Sequence, residues 1–263
     1  MSRILALAVV VGTSLHALAQ SPPVARAIED LRTCTKIDSA LCRTLPGRLA
    51  AHGATSVMPI HDALPTLPPQ ARTLAAIALT QIDHLQSTKL LVELARKDDL
   101  LLLTVVIPAL GERQGKEVDR ALVGLLRSPH PHLRGLAAEA LGKAKSKRDL
   151  TLAVPALLRA FRDPIEAVKV AAIESVGLIG DRRVVPELLA HLNDSRPRVR
   201  RTVLFALRFV SDLSAVPKLL DLLTDDDLTF VREVASTLEK LTGQRFGLDV
   251  ELWRGWWRRQ IDL

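Results

Sequence analysis

Few residues of this sequence have the types and spacing that metal binding or covalent chemistry requires. Cys34 and Cys42 are the two cysteines of the 263-residue chain. As a metal site the pair is incomplete, because zinc takes four ligands and no matching second pair exists. The spacing also differs from the Cys-x-x-Cys of redox-active pairs. In an oxidising compartment an even, local pair indicates a structural disulfide, which we predict here.

Three other groups carry residue types that metal sites or catalysis use. His130 and His132 flank a proline, with no third ligand nearby, and such a sequence suits a turn equally well. The aspartates at 225–227 lack the spaced oxygen ligands of a calcium loop, so a capped helix start explains them better. His61-Asp62 stands beside no nucleophile motif, and neither a Gly-x-Ser-x-Gly elbow nor a phosphate loop occurs. We therefore predict no catalytic residues, no metal site and no cofactor.

Arginines form the clearest binding signal. Arg196, Arg198 and Arg201 cluster at the start of one predicted helix, and Arg208 follows on the same helix. A row of guanidinium groups can bind phosphates or carboxylates. We predict that these four arginines bind a partner; the alternative is that they are ordinary solvated charges. The preceding loop adds three more basic residues, Lys145, Lys147 and Arg148.

The elements that must position these residues repeat every 31 residues. Two markers recur at that step: Pro155, Pro186 and Pro217, and then Asp163, Asp194 and Asp225. Proline is tolerated in the first turn of a helix, and aspartate accepts backbone N–H bonds at the start of the next. Apolar residues recur at helical spacing around both markers. Each unit therefore predicts a pair of helices, which must stack on neighbouring pairs to bury its apolar face.

A 31-residue step that contains two helices resembles the HEAT repeats, particularly the short bacterial type named after phycobilisome lyases. Repeats of this type often carry an Asp at the inter-helix turn and a basic residue six positions later. The resemblance implies that these residues form a ladder of ion pairs between repeats. The matching residues are Asp163 with Lys169, Asp194 with Arg200 and, with one residue inserted in the turn, Asp226 with Arg232. The upstream unit departs from the pattern, since Ser128 replaces the Asp before Arg134.

The predicted fold is all-α: a right-handed α-solenoid of about six stacked two-helix HEAT-like repeats over residues 56–243. Composition agrees, because aromatic residues are 3% and Tyr is absent, whereas the strong helix formers Leu and Ala are abundant. Residues 20–55 are predicted to form an N-terminal helical cap that contains the disulfide. The resemblance is strongest for residues 117–243.

Residues 244–263 differ from the repeats. Trp253, Trp256 and Trp257 are the three tryptophans of the chain, and their spacing places them on one face of a helix. The end of a solenoid exposes an apolar face that requires a cap. We predict a Trp-rich capping helix, with a binding role for these tryptophans as the alternative. The segment is similar to a tail found on many exported bacterial HEAT-like proteins.

Residues 1–19 have the plan of a secretory signal peptide. Arg3 supplies the positive region, residues 4–11 the apolar region, and residues 17–19 an Ala-x-Ala cleavage site. A membrane anchor is the alternative, but the apolar run is shorter than the roughly 20 residues that a span needs. We predict an exported protein, periplasmic or secreted, with no stable membrane span after cleavage.

Solenoids host many unrelated functions, so the fold alone assigns none. With no catalytic constellation, we predict a non-catalytic protein–protein interaction scaffold of the bacterial cell envelope, with another envelope protein as partner and the second helices as the binding face. The net charge of +7 leaves open a basic surface for anionic polymers or lipid headgroups. The resemblance leaves open a bilin-lyase-like accessory enzyme, although export argues against it. Nucleic acid is not expected, because no aromatic residues interleave with the basic ones.

Overall fold

The computed structural model describes residues 22–34, 39–143 and 148–261. Every regular element in those ranges is a helix, which confirms the all-α solenoid. None of the helices in these ranges combines the length and the hydrophobicity that crossing a bilayer requires. The predicted signal peptide at 1–19 lies outside the described residues, as do Lys145 and Lys147 of the basic loop.

The chain divides into two compact units, Met1–Leu110 and Gly111–Leu263. The first unit contains, in order, α1 (Pro22–Arg32), α2 (Ala40–Ala50), α3 (Val57–Ala63), α4 (Pro69–Gln81), α5 (Leu85–Leu94) and α6 (Leu100–Gly111), whose last residue belongs to the second unit. Helix α2 packs against both α1 and α4. Cys34 and Cys42 are bonded, with their Cα atoms 5.8 Å apart, so the predicted disulfide is confirmed.

In its described residues, the second unit consists of four helical hairpins and a final helix. The hairpins are α7 (Lys116–Leu125) with α8 (Pro131–Lys143), α9 (Leu150–Ala160) with α10 (Glu166–Ile179), α11 (Val185–Ala190) with α12 (Pro197–Val210), and α13 (Val216–Asp221) with α14 (Leu228–Thr242). The final helix is α15 (Val250–Ile261). Short 3-10 turns precede and follow both α11 and α13.

The proline marker does not have the same place in every hairpin. Pro186 and Pro217 lie in the first turn of α11 and α13, as the sequence predicts. Pro155 instead lies inside α9. Helix α9 begins earlier because Asp149 accepts a hydrogen bond from the Thr151 N–H and thereby caps the first turn. The helix therefore continues through Pro155 without the backbone donor that proline lacks.

The second helices of the hairpins, α8, α10, α12 and α14, pack side by side in that order. Two glycines permit the close approach of their backbones. A Cβ on Gly142 would lie 2.8 Å from the Cα of Ser175, and one on Gly177 would lie 2.6 Å from the Cα of Ala206. Side chains do not tolerate such distances, so only glycine lets these helices approach so closely.

The C-terminal segment packs onto the last hairpin. Helix α15 contacts α13. Trp253 is fully buried, its indole N–H donates to the Gly247 carbonyl at 2.9 Å, and its ring meets Phe246 edge to face at 4.9 Å. Trp256 and Trp257 are partly exposed. Trp253 is thus a core residue of this segment, while a capping role for all three tryptophans stays a prediction.

We expect Gly177→Ala to destabilise the protein by about 1–3 kcal/mol, because the added methyl group has no space against Ala206. Gly135, which also lies inside a second helix, has nothing within 4 Å of a built Cβ. Gly135→Ala should therefore be neutral or stabilise by up to about 1 kcal/mol through its better helix propensity. Urea unfolding followed by circular dichroism compares the two variants; equal stabilities would show that the close helix contact is not required.

Candidate interaction surface on the second helices

Ion pairs join the second helices of successive repeats. Arg134 of α8 donates two hydrogen bonds to Asp163, from Nε to Oδ2 at 2.7 Å and from Nη2 to Oδ1 at 2.9 Å. Lys169 of α10 donates from Nζ to Asp194 Oδ2 at 2.7 Å. All four side chains are largely buried. A cation of one repeat therefore reaches the aspartate of the following repeat.

The same aspartates also organise their own turns. Asp163 Oδ1 accepts from the Ile165 N–H at 2.9 Å, and Asp194 Oδ1 accepts from the Arg196 N–H at 3.0 Å. Each aspartate thus stabilises a two-residue turn just before the helix and is not itself the N-cap of that helix. The aspartates at 225–227 are arranged similarly. Asp225 accepts a hydrogen bond from the Asp227 N–H, and Asp227 caps α14.

These contacts set the ionisation of both carboxyl groups. Burial disfavours the charge of Asp163, but the hydrogen bonds from Arg134 and the Ile165 N–H outweigh it, and its pKa lies below the ordinary value. Hydrogen bonds from Arg196 and, after the opposing effect of burial, from Lys169 hold the pKa of Asp194 well below its usual range. Both carboxylates are therefore fully charged at neutral pH.

The remaining three residues predicted for the ladder do not take part in these ion pairs. Arg200 donates from Nη1 to the carbonyl of Asp194 in its own turn, and its guanidinium lies over the Phe230 ring at 5.1 Å. Asp226 and Arg232 are exposed and form no ion pair within the described ranges. Arg134, which the sequence pattern left outside the ladder, pairs with Asp163.

Arg148 is unsuited to partner binding although the sequence grouped it with the basic loop. Its side chain is fully buried. The guanidinium donates to Asp119 Oδ1 at 2.8 Å and to the carbonyls of Gly111 and Ala140 at 2.7 and 3.0 Å. Arg148 therefore ties together the end of α6, the start of α7 and the end of α8 inside the second unit.

The four arginines predicted to bind a partner have different surroundings. Arg196 is bound to Asp194 of its own turn at 2.8 Å. Arg201 pairs with Glu233 of α14 at 3.3 Å, and both side chains are exposed. Arg198 is exposed and forms no ion pair within the described part of the chain. Burial raises the pKa of Glu174 on α10, and the positive charge of Arg198 partly opposes that rise. Of the four, Arg196 is therefore the one held most firmly within its own repeat.

Two exposed phenylalanines on α12 were missed by the sequence analysis. Phe205 and Phe209 are 40% and 46% exposed, and their ring centroids lie 4.7 Å apart. Helical spacing in the sequence could have indicated their exposure. Val199, Val203 and Leu207 form the buried stripe of this helix, and the two phenylalanines fall outside that stripe. Helical spacing places them on one side of α12 together with three arginines. We call this side the α12 face: Arg198, Arg201, Phe205, Arg208 and Phe209.

A cleft opens where the C-terminal ends of α12 and α14 meet. Its volume is about 520 Å³. We call it the phenyl cleft, and its lining consists of Phe205, Arg208, Phe209, Ser211 and Lys240. Arg208 donates from Nη2 to Ser236 Oγ at 3.2 Å, which is a neutral partner. The cleft thus combines an apolar floor with two positive charges.

The histidines of the candidate metal and acid–base groups have ordinary surroundings. His130 and His132 are exposed in and after the turn before α8. His61 lies 3.1 Å from Asp62 and 3.8 Å from Glu93, beside a cleft of about 400 Å³ in the first unit. Within the described residues, no three His, Cys, Asp or Glu side chains come together as a metal site.

The family profile described as HEAT repeats matches residues 154–239, which run from α9 into α14. The chain thus contains HEAT repeats over these residues. No curated protein matches this HEAT-repeat protein. By contrast, 142 chains of solved structure match it, so the fold is widespread and assigns no activity by itself.

Two solved structures illustrate the similarity of fold. The complex of CpcE and CpcF of phycocyanin lyase from Nostoc sp. PCC7120 is 24% identical, with a TM-score of 0.50, over 60% of this chain. This HEAT-repeat protein spans 65% of the length of that solved chain. An engineered protein is 19% identical, with a TM-score of 0.52, over 83% of this chain and 68% of the other. At these identities the likeness concerns the fold alone.

We expect Asp194→Asn to destabilise the protein at neutral pH by on the order of 3 kcal/mol, because it leaves Lys169 without its charged partner in a largely buried place. The folded pKa of Asp194 lies below its ordinary value of 3.8. The stabilisation is therefore complete above that value and is lost as the pH falls towards the folded pKa. The stability difference from the unmodified protein should shrink below about pH 4.

Asp226→Asn is the matched control, since Asp226 is exposed and forms no ion pair within the described ranges. It should change stability by less than about 0.5 kcal/mol at every pH. Urea unfolding at several pH values between 7 and 2.5 measures all three proteins. A difference for Asp194→Asn that is the same at every pH would contradict the assigned role of its charge.

Proposed function

We propose that this HEAT-repeat protein is a non-catalytic scaffold that binds another protein of the bacterial cell envelope through the α12 face. One observation carries the proposal: two adjacent phenyl rings are exposed on a helix that already has a complete buried stripe. Packing within the second unit does not require them. Burying a phenylalanine side chain is worth roughly 1.5–3 kcal/mol, so a partner that covers both rings gains substantial binding free energy.

The residue types of the α12 face support a protein as the partner. Aromatic and arginine side chains are enriched at the centres of protein interfaces, where a few residues supply most of the binding free energy. Phe205 and Phe209 supply the apolar area, and Arg198 and Arg201 lie on the same side of the helix. This arrangement is an apolar centre with charged side chains beside it, as in many protein interfaces.

Two features support a location outside the cytoplasm. Residues 1–19 have the plan of a signal peptide. The bond between Cys34 and Cys42 belongs to a class that persists in oxidising compartments such as the periplasm. Export to the periplasm or the medium is therefore part of the proposal, and the partner is sought in the envelope.

The two alternative functions have less support. A surface for anionic polymers or lipid headgroups needs unpaired cations, yet Arg134, Arg148, Lys169 and Arg196 are all bound to carboxylates. An accessory role in bilin attachment rests on a likeness in fold to phycocyanin lyase subunits. Neither alternative accounts for the exposed phenyl rings of α12.

Crosslinking and pull-down from an envelope extract test the proposal. We expect the purified protein to recover one dominant protein, identified by mass spectrometry. The double variant Phe205→Ser/Phe209→Ser should reduce that recovery at least tenfold, because it removes the apolar centre of the face. Leu228→Ser is the matched control, since Leu228 is a 66% exposed apolar residue at the other end of α14, and it should leave recovery unchanged.

Circular dichroism of each variant must match that of the unmodified protein, so that lost recovery reports on the surface and not on folding. Equal recovery by all three proteins would contradict the proposed face. Salt-sensitive retention of polysaccharide or lipid, with no protein captured, would favour the basic-surface alternative over the scaffold.

A further inference from the structure

We propose that the phenyl cleft binds an acidic peptide segment that carries an apolar side chain, so that the partner's docking segment presents an apolar anchor next to one or more carboxylates. This inference rests on the proposed function and adds the chemistry of the partner. It follows from the floor of the cleft, from the charges beside it, and from how those charges differ from others on the same helix.

The floor of the cleft is apolar and large enough to hold a side chain. The rings of Phe205 and Phe209 are tilted by 49° to each other, with their centroids 4.7 Å apart. The volume of about 520 Å³ lies within the range of pockets that hold small ligands or peptide side chains. A leucine, methionine or aromatic side chain placed here would remove both rings from water.

Within the residues that the structure describes, two cations beside this floor have no carboxylate partner. Arg208 donates to the hydroxyl of Ser236, which is neutral. Lys240 is exposed and forms no ion pair within the described part of the chain. Among the described residues, none that lines the cleft is acidic. An incoming carboxylate would therefore meet two positive charges and no negative side chain.

Two arginines at the start of α12 do have carboxylate partners, so an unpaired charge is not common to every arginine in and beside this helix. Arg196 is bound to Asp194, and Arg201 is paired with Glu233. Arg208 and Lys240, like Arg198, differ from these two because no carboxylate pairs with them in the described ranges. A guanidinium group binds a carboxylate through charge-assisted hydrogen bonds, which are stronger than those between neutral groups.

A peptide fits this combination better than a polymer or a lipid surface. A polysaccharide chain without apolar groups would leave the phenyl rings exposed to water. A bilayer would bring many headgroups to a wide surface, whereas here both cations lie beside a cleft of limited volume. An acidic segment with an apolar side chain would cover the phenyl rings and place carboxylates beside both cations.

Arg208 and Lys240 also lie in the last turns of α12 and α14. Cations there stabilise a helix by interaction with its C-terminal dipole. If this were their whole role, replacing them would lower stability and leave peptide binding unchanged. Binding and stability are therefore measured on the same variants.

Fluorescence anisotropy with labelled peptides tests the inference on the full chain. The probe is fluorescein-Gly-Asp-Phe-Asp-Leu-Asp-Gly. One comparison peptide has Asn in place of each Asp, and another has Ser in place of Phe and Leu. We expect the acidic apolar probe to bind at least tenfold more tightly than either comparison peptide. Its affinity should fall as salt is raised from low to moderate concentration, because the charges are exposed.

Arg208→Gln/Lys240→Gln removes both cations and should weaken binding of the probe at least tenfold. Lys218→Gln/Arg232→Gln is the matched control, since it makes the same change in net charge at residues that do not line the cleft. The control should bind the probe as the unmodified protein does. Thermal unfolding of both double variants reports any change in stability separately.

Equal binding of the acidic and the Asn peptides, or unchanged binding by Arg208→Gln/Lys240→Gln, would overturn the inference. In that case loss of envelope-partner recovery by Phe205→Ser/Phe209→Ser would still support the scaffold. If that recovery were unaffected while the probe bound the cleft, the proposed function would fail and the peptide site would stand. Sedimentation with phosphatidylglycerol vesicles that depended on both phenylalanines, without peptide binding, would overturn the peptide in favour of a membrane.

Discussion

The second unit depends on one kind of contact. A cation of one repeat binds the carboxylate at the turn of the following repeat. Arg134 with Asp163 and Lys169 with Asp194 connect the second helix of one hairpin to the inter-helix turn of the next. Each aspartate also holds its own turn through a backbone N–H. A single residue thus couples the local turn to the stacking of neighbours, and the glycine contacts at Gly142 and Gly177 let the helices come close enough for that coupling.

This arrangement determines which charges are available to a partner. Arg134, Lys169 and Arg196 are held by carboxylates, and Arg148 is buried against Asp119. These four cations are therefore held within the repeats. What remains on the surface of α12 is a short row in which phenyl rings lie among arginines, and the proposed binding role of this HEAT-repeat protein depends on that row.

The sequence predicted the fold well because the fold rests on local rules. The 31-residue step, the aspartates at the turns and the helical spacing of Leu and Val all follow from the needs of stacked helix pairs. The partners of the ladder were predicted less well. The resemblance implied ion pairs between repeats, and Lys169 does reach Asp194 of the next repeat. It left out Arg134 and included Arg200 and Arg232, because which cation reaches which aspartate depends on how neighbouring helices pack.

The binding surface was predicted only in part for a similar reason. Charge alone drew attention to Arg196 and Arg148, and only the structure reveals the carboxylates that hold them. Phe205 and Phe209 stand in a sequence rich in apolar side chains, so composition alone does not mark them as exposed. Their exposure becomes visible once the buried stripe of α12 is known to be complete without them. Residues 1–19, on which the predicted export rests, lie outside the described part of the chain.

The central claim is that the ion pairs between repeats hold the second helices together, and a double-mutant cycle on Arg134 and Asp163 tests it most directly. Urea unfolding would be measured for Arg134→Met, Asp163→Asn, the double variant and the unmodified protein. We predict a coupling energy of about 1–3 kcal/mol, with the double variant less destabilised than the sum of the single variants. Additive effects, with a coupling near zero, would contradict the claim and leave packing alone to hold the repeats.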